Sequence, residues 1–348
     1  MPALSSRLLR GIRVRARSLF LGILGVPLAY PVRNLARRSG AGAGVALVYH
    51  RVGEPAGDPR RELVPALATS LFAEQAHHLA SHYNVVSASN LLRAIGERQP
   101  GSPFPVAITF DDDLSSHLDV AAPILASAGV TATFFVSGAS LEAPQRFWWE
   151  RLQAAFDREL DLATAGLDAN GMSIHDLARG IQNLPPGERD EIDARLVELV
   201  GDDPPDSGLR ADALRALAKL DFEIGFHTRR HDLLTRLGEA ELSEAMRLGR
   251  SELEEVVRRP LRTISYPYGG GDGRVAVAAR EAGFAAGFTG SGTAVRDSSE
   301  PLLLGRLVPS YRSTGEFAFD VAWTLLRGIV NGRARARAAR QGRRASPT

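Results

Sequence analysis

The stretch AITFDDDLSSH, residues 107–117, sets three consecutive carboxylates, Asp111, Asp112 and Asp113, directly after a short β-like run. Like charges crowded at a strand end repel one another unless a cation sits among them or one member stays protonated. Helix capping accounts for one of the three at most, since a single Asp suffices for the free N–H groups at a helix start. The cluster therefore points towards a metal. A second signal is GFHTRRHDLLTRL, where His227 and His231 stand four residues apart, again just after a strand-like run. On a helical turn that spacing puts both imidazoles on one face, where they can share an ion. Two neutral imidazoles and one carboxylate make three protein ligands and leave positions open for water and substrate, as a catalytic zinc site requires. The chain has no cysteine, which excludes disulfides, thiolate metal sites and a cysteine nucleophile.

Elements must hold these groups together, and the sequence supplies a repeating series of them. Short apolar runs, GVALVYH, NVVSAS, VAITF, VTATFFV, FEIGFH, LRTISYP and AAGFTG, read as strands. Helical patterns over 72–82, 118–128, 239–257 and 273–282 alternate with them. Such alternation implies a parallel sheet, and the number of units fits an α/β fold of the (β/α) barrel type, whose catalytic side chains sit at strand C-termini. From Pro144 to Lys219 the alternation stops, and a helix-rich segment carries the turn signals DANG, LPPGE and GDDPPDSG. It reads as a helical insertion, about 144–220, within a barrel domain spanning 41–320.

The 348 residues, 44% hydrophobic and 24% charged, are those of an ordinary globular protein with room for a sizeable core. Formal net charge is only +2, but the basic residues are almost all arginine and gather at the two ends. Segment 1–40 has arginines at 7, 10, 13, 15 and 17, an apolar run from Leu19 to Val32, then Arg33, Arg37 and Arg38. That run is short for a spanning helix and interrupted by Gly and Pro, and no small-residue cleavage site marks a secretory signal. It reads as a basic amphipathic segment on an anionic membrane surface, with a helix packed on the domain as the alternative. Segment 321–348 reads as a basic, disordered tail. The arginine runs lack interleaved aromatics, so no nucleic-acid partner is expected.

TFDDD, followed much later by HTRRH and then SYPYG, resembles the polysaccharide deacetylase family, which shares the NodB homology domain; the likeness extends over roughly 45–310 apart from the insertion. The resemblance implies a distorted (β/α) barrel with a metal site at the strand C-termini. It implies that Asp111 is the general base and that Asp112, His227 and His231 hold the metal, zinc by preference, with cobalt or nickel also acceptable. Asp113 departs from the Gly most relatives carry there, and its expected role is to cap the following helix. SYPYGGG matches the motif whose Pro-Tyr-Gly turn, Pro267, Tyr268 and Gly269, lines the sugar groove, with the Tyr268 backbone N–H at the oxyanion. Many members tether the base with an Arg where Ser265 stands, and Arg262 and Arg306 are the candidates to replace it. No His follows His231 to serve as the usual acid. LVYHRVGE is similar to the early motif of the permuted branch that deacetylates bacterial poly-N-acetylglucosamine, which makes His50 the acid. His117 is expected at the surface or as a cap, and His77, His78, His82 and His175 as incidental. Trp148 is a candidate sugar contact, though Trp148 and Trp149 are also expected to pack the insertion on the barrel. The implied activity is metal-dependent removal of N-acetyl groups from an acetamido-sugar polysaccharide or lipid-linked glycan, by a membrane-associated or cytoplasmic bacterial enzyme. The alternative is an inactive, metal-retaining, carbohydrate-binding relative.

Overall fold

Apolar runs buried on both faces are what a parallel sheet enclosed by helices needs, and the chain provides them at β1 (Ala43–Tyr49) and β3 (Pro105–Asp111), where every residue is buried. A computed structural model describes residues 2–55, 58, 61–169 and 171–344. Met1, Asn170 of the DANG turn and the last four residues of the tail lie outside the described residues. The other strands are β2 (Asn84–Val86), β4 (Thr133–Val136), β5 (Glu223–Phe226), β6 (Thr263–Ser265), β7 (Ala286–Thr289), β8 (Val295–Arg296) and β9 (Leu304–Leu307).

Seven of them close a parallel barrel in the order β1, β3, β4, β5, β6, β7, β9 and back to β1. The registers bring the strand ends level: Asp111 lies opposite Phe135, Val136 opposite Phe226, Phe226 opposite Ile264, and Ser265 opposite Phe288. Side chains from several strand ends thereby meet at one rim, as the barrel reading expects. At the other rim β2 joins the start of β3 in parallel, and β8 joins the start of β1 antiparallel. The main core lies between the staves and the surrounding helices and contains Leu47, Ile108, Phe110, Phe134 and Phe226.

Several elements differ from the sequence reading. β8 and β9 were not expected. β9 is short, contains a glycine, and directs Arg306 into the barrel, so it carries no apolar alternation to detect. The helix expected over 239–257 is two helices, Glu239–Ala245 and Arg250–Val257, parted at Gly249, whose φ of 77° a continuous helix cannot contain. The insertion builds its own small core from Phe147 to Val200, but helix Ala211–Lys219 belongs to the barrel through Leu214 and Leu217.

The two ends are helical. Helix Pro2–Arg37 runs unbroken through Pro27 and Pro31, and helix Thr314–Arg344 takes in every described residue of the tail expected to be disordered. Val321, Ala322, Leu325 and Ile329 are buried, so packing rather than local polarity decides the state of this segment. The two helices cross at two glycines: a Cβ on Gly25 would lie 2.0 Å from the Gly315 carbonyl oxygen. Neither position has room for a side chain.

The rim away from the aspartates is closed by Glu223. Its carboxylate accepts from Ser89 N at 3.0 Å, Thr133 Oγ1 at 2.9 Å and Thr263 Oγ1 at 3.0 Å, joining three strands and a loop. Glu223→Ala strands these donors and is expected to cost about 1–3 kcal/mol in a urea titration.

Candidate active site and metal centre

The three motifs meet at the C-terminal rim. Asp111 ends β3, His227 follows β5, and Ser265 ends β6. Asp112 Oδ1 faces both imidazoles, 3.4 Å from His227 Nε2 and 3.3 Å from His231 Nε2. One donor atom from each of the three lies within 4.8 Å of the others, and all three residues are buried. Asp112 Oδ1 has no hydrogen-bond partner, an arrangement that costs about 1–3 kcal/mol if nothing else satisfies the atom. His227 Nδ1 lies 2.9 Å from the Ser265 carbonyl oxygen, which fixes that nitrogen as the donor and turns the Nε2 lone pair towards Asp112. Two imidazole nitrogens and an orphaned carboxylate oxygen fit a divalent cation.

The backbone is bent to achieve this. Of seven non-glycine residues with positive φ among the described residues, four are here: Asp112 (73°), Thr228 (55°), His231 (51°) and Tyr268 (58°). Each costs of order 1 kcal/mol, and such strain collects where function over-determines geometry.

Asp111 is held apart from the ligand group. Arg306 grips it with two parallel bonds, Nη1 to Oδ1 at 2.6 Å and Nη2 to Oδ2 at 2.7 Å, and Ser265 Oγ donates to Oδ2 at 3.0 Å. Arg306 Nη1 also reaches Thr109 Oγ1 at 3.2 Å. Burial pushes the Asp111 carboxyl up, but the guanidinium of Arg306, aided by His227, brings it down to about 2. Of the two arginines expected beside Asp111, Arg306 of β9 makes the contact, with Ser265 as a second donor. Arg262 takes no part: it precedes β6 and lines a cleft at the opposite rim, one strand length from Asp111.

Two more expectations are corrected. Asp113 caps no helix; its carboxylate accepts from Ser137 N at 2.7 Å, Ser137 Oγ at 2.8 Å and Ser140 Oγ at 3.3 Å, tying down the loop after β4. His117 is fully buried rather than superficial, packed on Phe110 and Phe134, with Nε2 3.3 Å from the His50 carbonyl oxygen. Burial lowers its pKa to about 4, so it stays neutral beneath β1.

A cavity of about 520 Å³ opens over these groups, and its walls include His50, Asp111, Asp112, His227, His231 and Tyr268. Gly269 and Trp148 line it as well, while Pro267 is buried behind the turn. Trp148 and Trp149 serve both expected purposes. They belong to the insertion core, yet they form a wall of the cavity, with Trp149 ring to ring with His231 at 4.5 Å and Tyr268 meeting His231 edge-on at 4.6 Å. Helix Ile174–Gln182 of the insertion adds His175, Arg179 and Gln182, so the histidine expected to be incidental faces the site. A brace also escaped the sequence reading: Arg189 of the insertion makes a buried ion pair with Asp232, beside His231, and donates to the Arg230 carbonyl at 3.3 Å. The adjacent HTRRHD run was the available signal, because an Asp directly after a ligand histidine suits an outer clamp.

The polysaccharide deacetylase family profile matches residues 98–287, more than half of the chain. The chain belongs to the polysaccharide deacetylase family. It is a hydrolase of the amide bonds of acetylated sugars, a carbohydrate de-N-acetylase. The matched span leaves out both His50 and Arg306. No curated protein matches the chain in sequence. Among solved structures, the deacetylase PplD of Streptococcus pyogenes, in complex with acetate, is similar in fold, with TM-score 0.56 and 16% identity over 80% of this chain and 98% of that one. A de-N-acetylase from Aggregatibacter actinomycetemcomitans gives TM-score 0.53 and 16% identity over 78% of this chain and 96% of its own. IcaB from Ammonifex degensii gives 0.51 and 18% over 80% and 97%.

Arg306→Met in this deacetylase should lower acetate release from N-acetylated oligosaccharide about a hundredfold, the scale of a misplaced base. Metal content of the same preparation should not change. Arg306→Lys, with a point charge in place of a planar fork, should recover only part of the rate.

Proposed function

We propose that this protein is a divalent-metal-dependent N-deacetylase that releases acetate from an acetamido-sugar polysaccharide or lipid-linked glycan. The observation that carries the reading is the orphaned Asp112 Oδ1 between two imidazole Nε2 atoms, with a second carboxylate clamped beside it by Arg306 and Ser265. The donor set favours zinc and would also accept cobalt or nickel. An ion held by Asp112, His227 and His231 supplies Lewis acidity, lowering the pKa of a water and polarising the acetamido carbonyl.

The chain's own groups do the rest. Asp111, ionised at neutral pH by its contact with Arg306, takes the proton from the attacking water. The Tyr268 backbone N–H donates to the oxyanion as the carbonyl carbon becomes tetrahedral. His50, at the end of β1 and in the same cavity, protonates the nitrogen as the C–N bond breaks. Acetate leaves and a free amine stays on the sugar. Pro267, Gly269 and Trp148 shape the turn and wall against which the sugar lies. His117 fixes the carbonyl of His50 from beneath. The early position of His50 supports a place near the permuted poly-N-acetylglucosamine branch, in a bacterial cell envelope, with the basic N-terminal segment as a peripheral membrane contact.

Metal content and acetate release from N-acetylglucosamine oligomers test the reading together. Wild type should hold one ion per chain and turn over; Asp112→Ala should lose both. Asp111→Asn and His50→Ala should keep the ion and lose about 10²–10⁴ in rate. Metal without turnover in the wild type would favour a carbohydrate-binding relative, and absence of metal would remove the site assignment.

A further inference from the structure

We propose that the outer face of helices Pro2–Arg37 and Thr314–Arg344 docks on an anionic lipid bilayer and sets the mouth of the catalytic cavity at the membrane surface. The catalytic reading is needed only for the substrate this implies, an acetamido sugar carried on or held at a lipid surface.

Helix Pro2–Arg37 is fastened to the barrel along one seam, where Leu21, Gly25, Ala29, Arg33 and Ala36 are buried at spacings of three and four. Ala29 packs on Ala318 and Ala322 of the last helix. The opposite crest is apolar and open: Leu19 and Ile23 are each 71% exposed and Tyr30 58%. No charged residue lies between Ser18 and Arg33. A surface helix of a globular domain ordinarily carries its charges on that face. On the last helix Phe319 and Trp323 stand one residue on from Ala318 and Ala322, on the side turned away from buried Phe317 and Val321, and their rings stack at 6.0 Å. The apolar surface therefore continues across both helices, which is how an interaction site differs from scattered exposed residues.

Charge selects the occupant. The first acidic residue of the chain is Glu54, preceded by nine arginines, and the last is Asp320, followed by seven. The apolar stretch of the first helix is flanked on both sides only by arginines, and the last helix, whose acidic residues Glu316 and Asp320 lie near its start, carries only arginines as charges beyond Trp323; both complement anionic headgroups, and an exposed Trp suits the interface. A second copy of the same face would bring arginine against arginine. The stretch Leu19–Arg37, with mean hydropathy 1.4, is long and apolar enough to cross a bilayer. Its seam on the barrel makes it lie along the membrane instead.

Position ties this surface to the site. At one end the Arg37 carbonyl accepts from Gly101 N at 2.8 Å, near the start of β3. At the other, Gly22 lies against Ser313, six residues after β9 ends and five after Val308, which lines the catalytic cavity. The helix runs alongside the barrel to its catalytic rim, and the most open apolar residues, Leu19 and Ile23, stand at that rim.

Flotation of the full-length protein with phosphatidylcholine vesicles, with and without phosphatidylglycerol, tests the surface. Capture is expected only with the anionic lipid and should fall as salt rises. The double variant Leu19→Glu, Ile23→Glu should cut the bound fraction about tenfold, with acetate release from soluble oligomers unchanged. Because the chain has no cysteine, a polarity-sensitive dye can be placed singly by Val308→Cys or by Glu255→Cys on the far side of the barrel. Vesicles should blue-shift the first and leave the second alone. No capture by anionic vesicles, capture indifferent to the double variant, a lipid-free dimer dissolved by that variant, or a dye shift at 255 and not at 308 would each overturn the proposal. In the wild type, no capture with soluble turnover intact sinks the surface alone; capture without turnover sinks the catalytic reading alone.

Discussion

A guanidinium and a carboxylate buried face to face inside the barrel set the terms for everything above them. Arg306 and Asp111 are 2% and 3% exposed, so each would carry a desolvation cost of several kcal/mol alone. Two parallel bonds at 2.6 and 2.7 Å, with Ser265 and Thr109 on the remaining edges, make the burial tolerable. Thr109 in turn donates to the Leu47 carbonyl at 2.6 Å, so the pair is wired into β1. The barrel closes with β9 beside β1 and β3 on its other side, and the ion pair spans that join. What looks like catalytic tuning is also a condition on strand order.

That pair explains where the sequence could be read and where it could not. The grouping of Asp112, His227 and His231 was legible because its chemistry is local: adjacent carboxylates repel, and two histidines at a four-residue spacing can converge. Strands such as VAITF and VTATFFV were legible because burial on both faces leaves an unbroken apolar run. LLLGRL was not, because its strand character depends on an arginine whose partner lies far away in sequence. Arg262 and Arg306 could not be told apart without knowing which end of its strand each occupies. The ring of His117 and the carboxylate of Asp113 were misplaced for a related reason: a polar residue near a site reads as exposed until its buried partners are known. The helical tail was hidden by its own arginines, since the four apolar residues that dock it are spread over two turns.

The insertion gives the site a wall that the barrel lacks. Its small core orients Trp148 and Trp149, its helix 174–182 brings His175, Arg179 and Gln182 to the cavity, and Arg189 braces the loop that presents His231. Arg151, bonded to Asp193 at 2.8 Å and Asp203 at 2.5 Å, locks the segment together from within. The barrel rim and the insertion therefore both line the cavity, the rim with the aspartates and histidines and the insertion with one aromatic wall.

The glycine crossing of the first and last helices has a consequence for how the molecule comes into being. β1, among the earliest segments made, sits between β3 and β9, and its outer helix waits for a partner near the other end of the chain. A ribosome delivering this protein releases a sheet with one seam open, and the seam shuts only when the final helix arrives. Closure of this kind couples distant contacts and is slow. During that interval the first helix is held only near its end, through Arg33 on Tyr83 and the Arg37 carbonyl on Gly101, and its glycine crossing stands open.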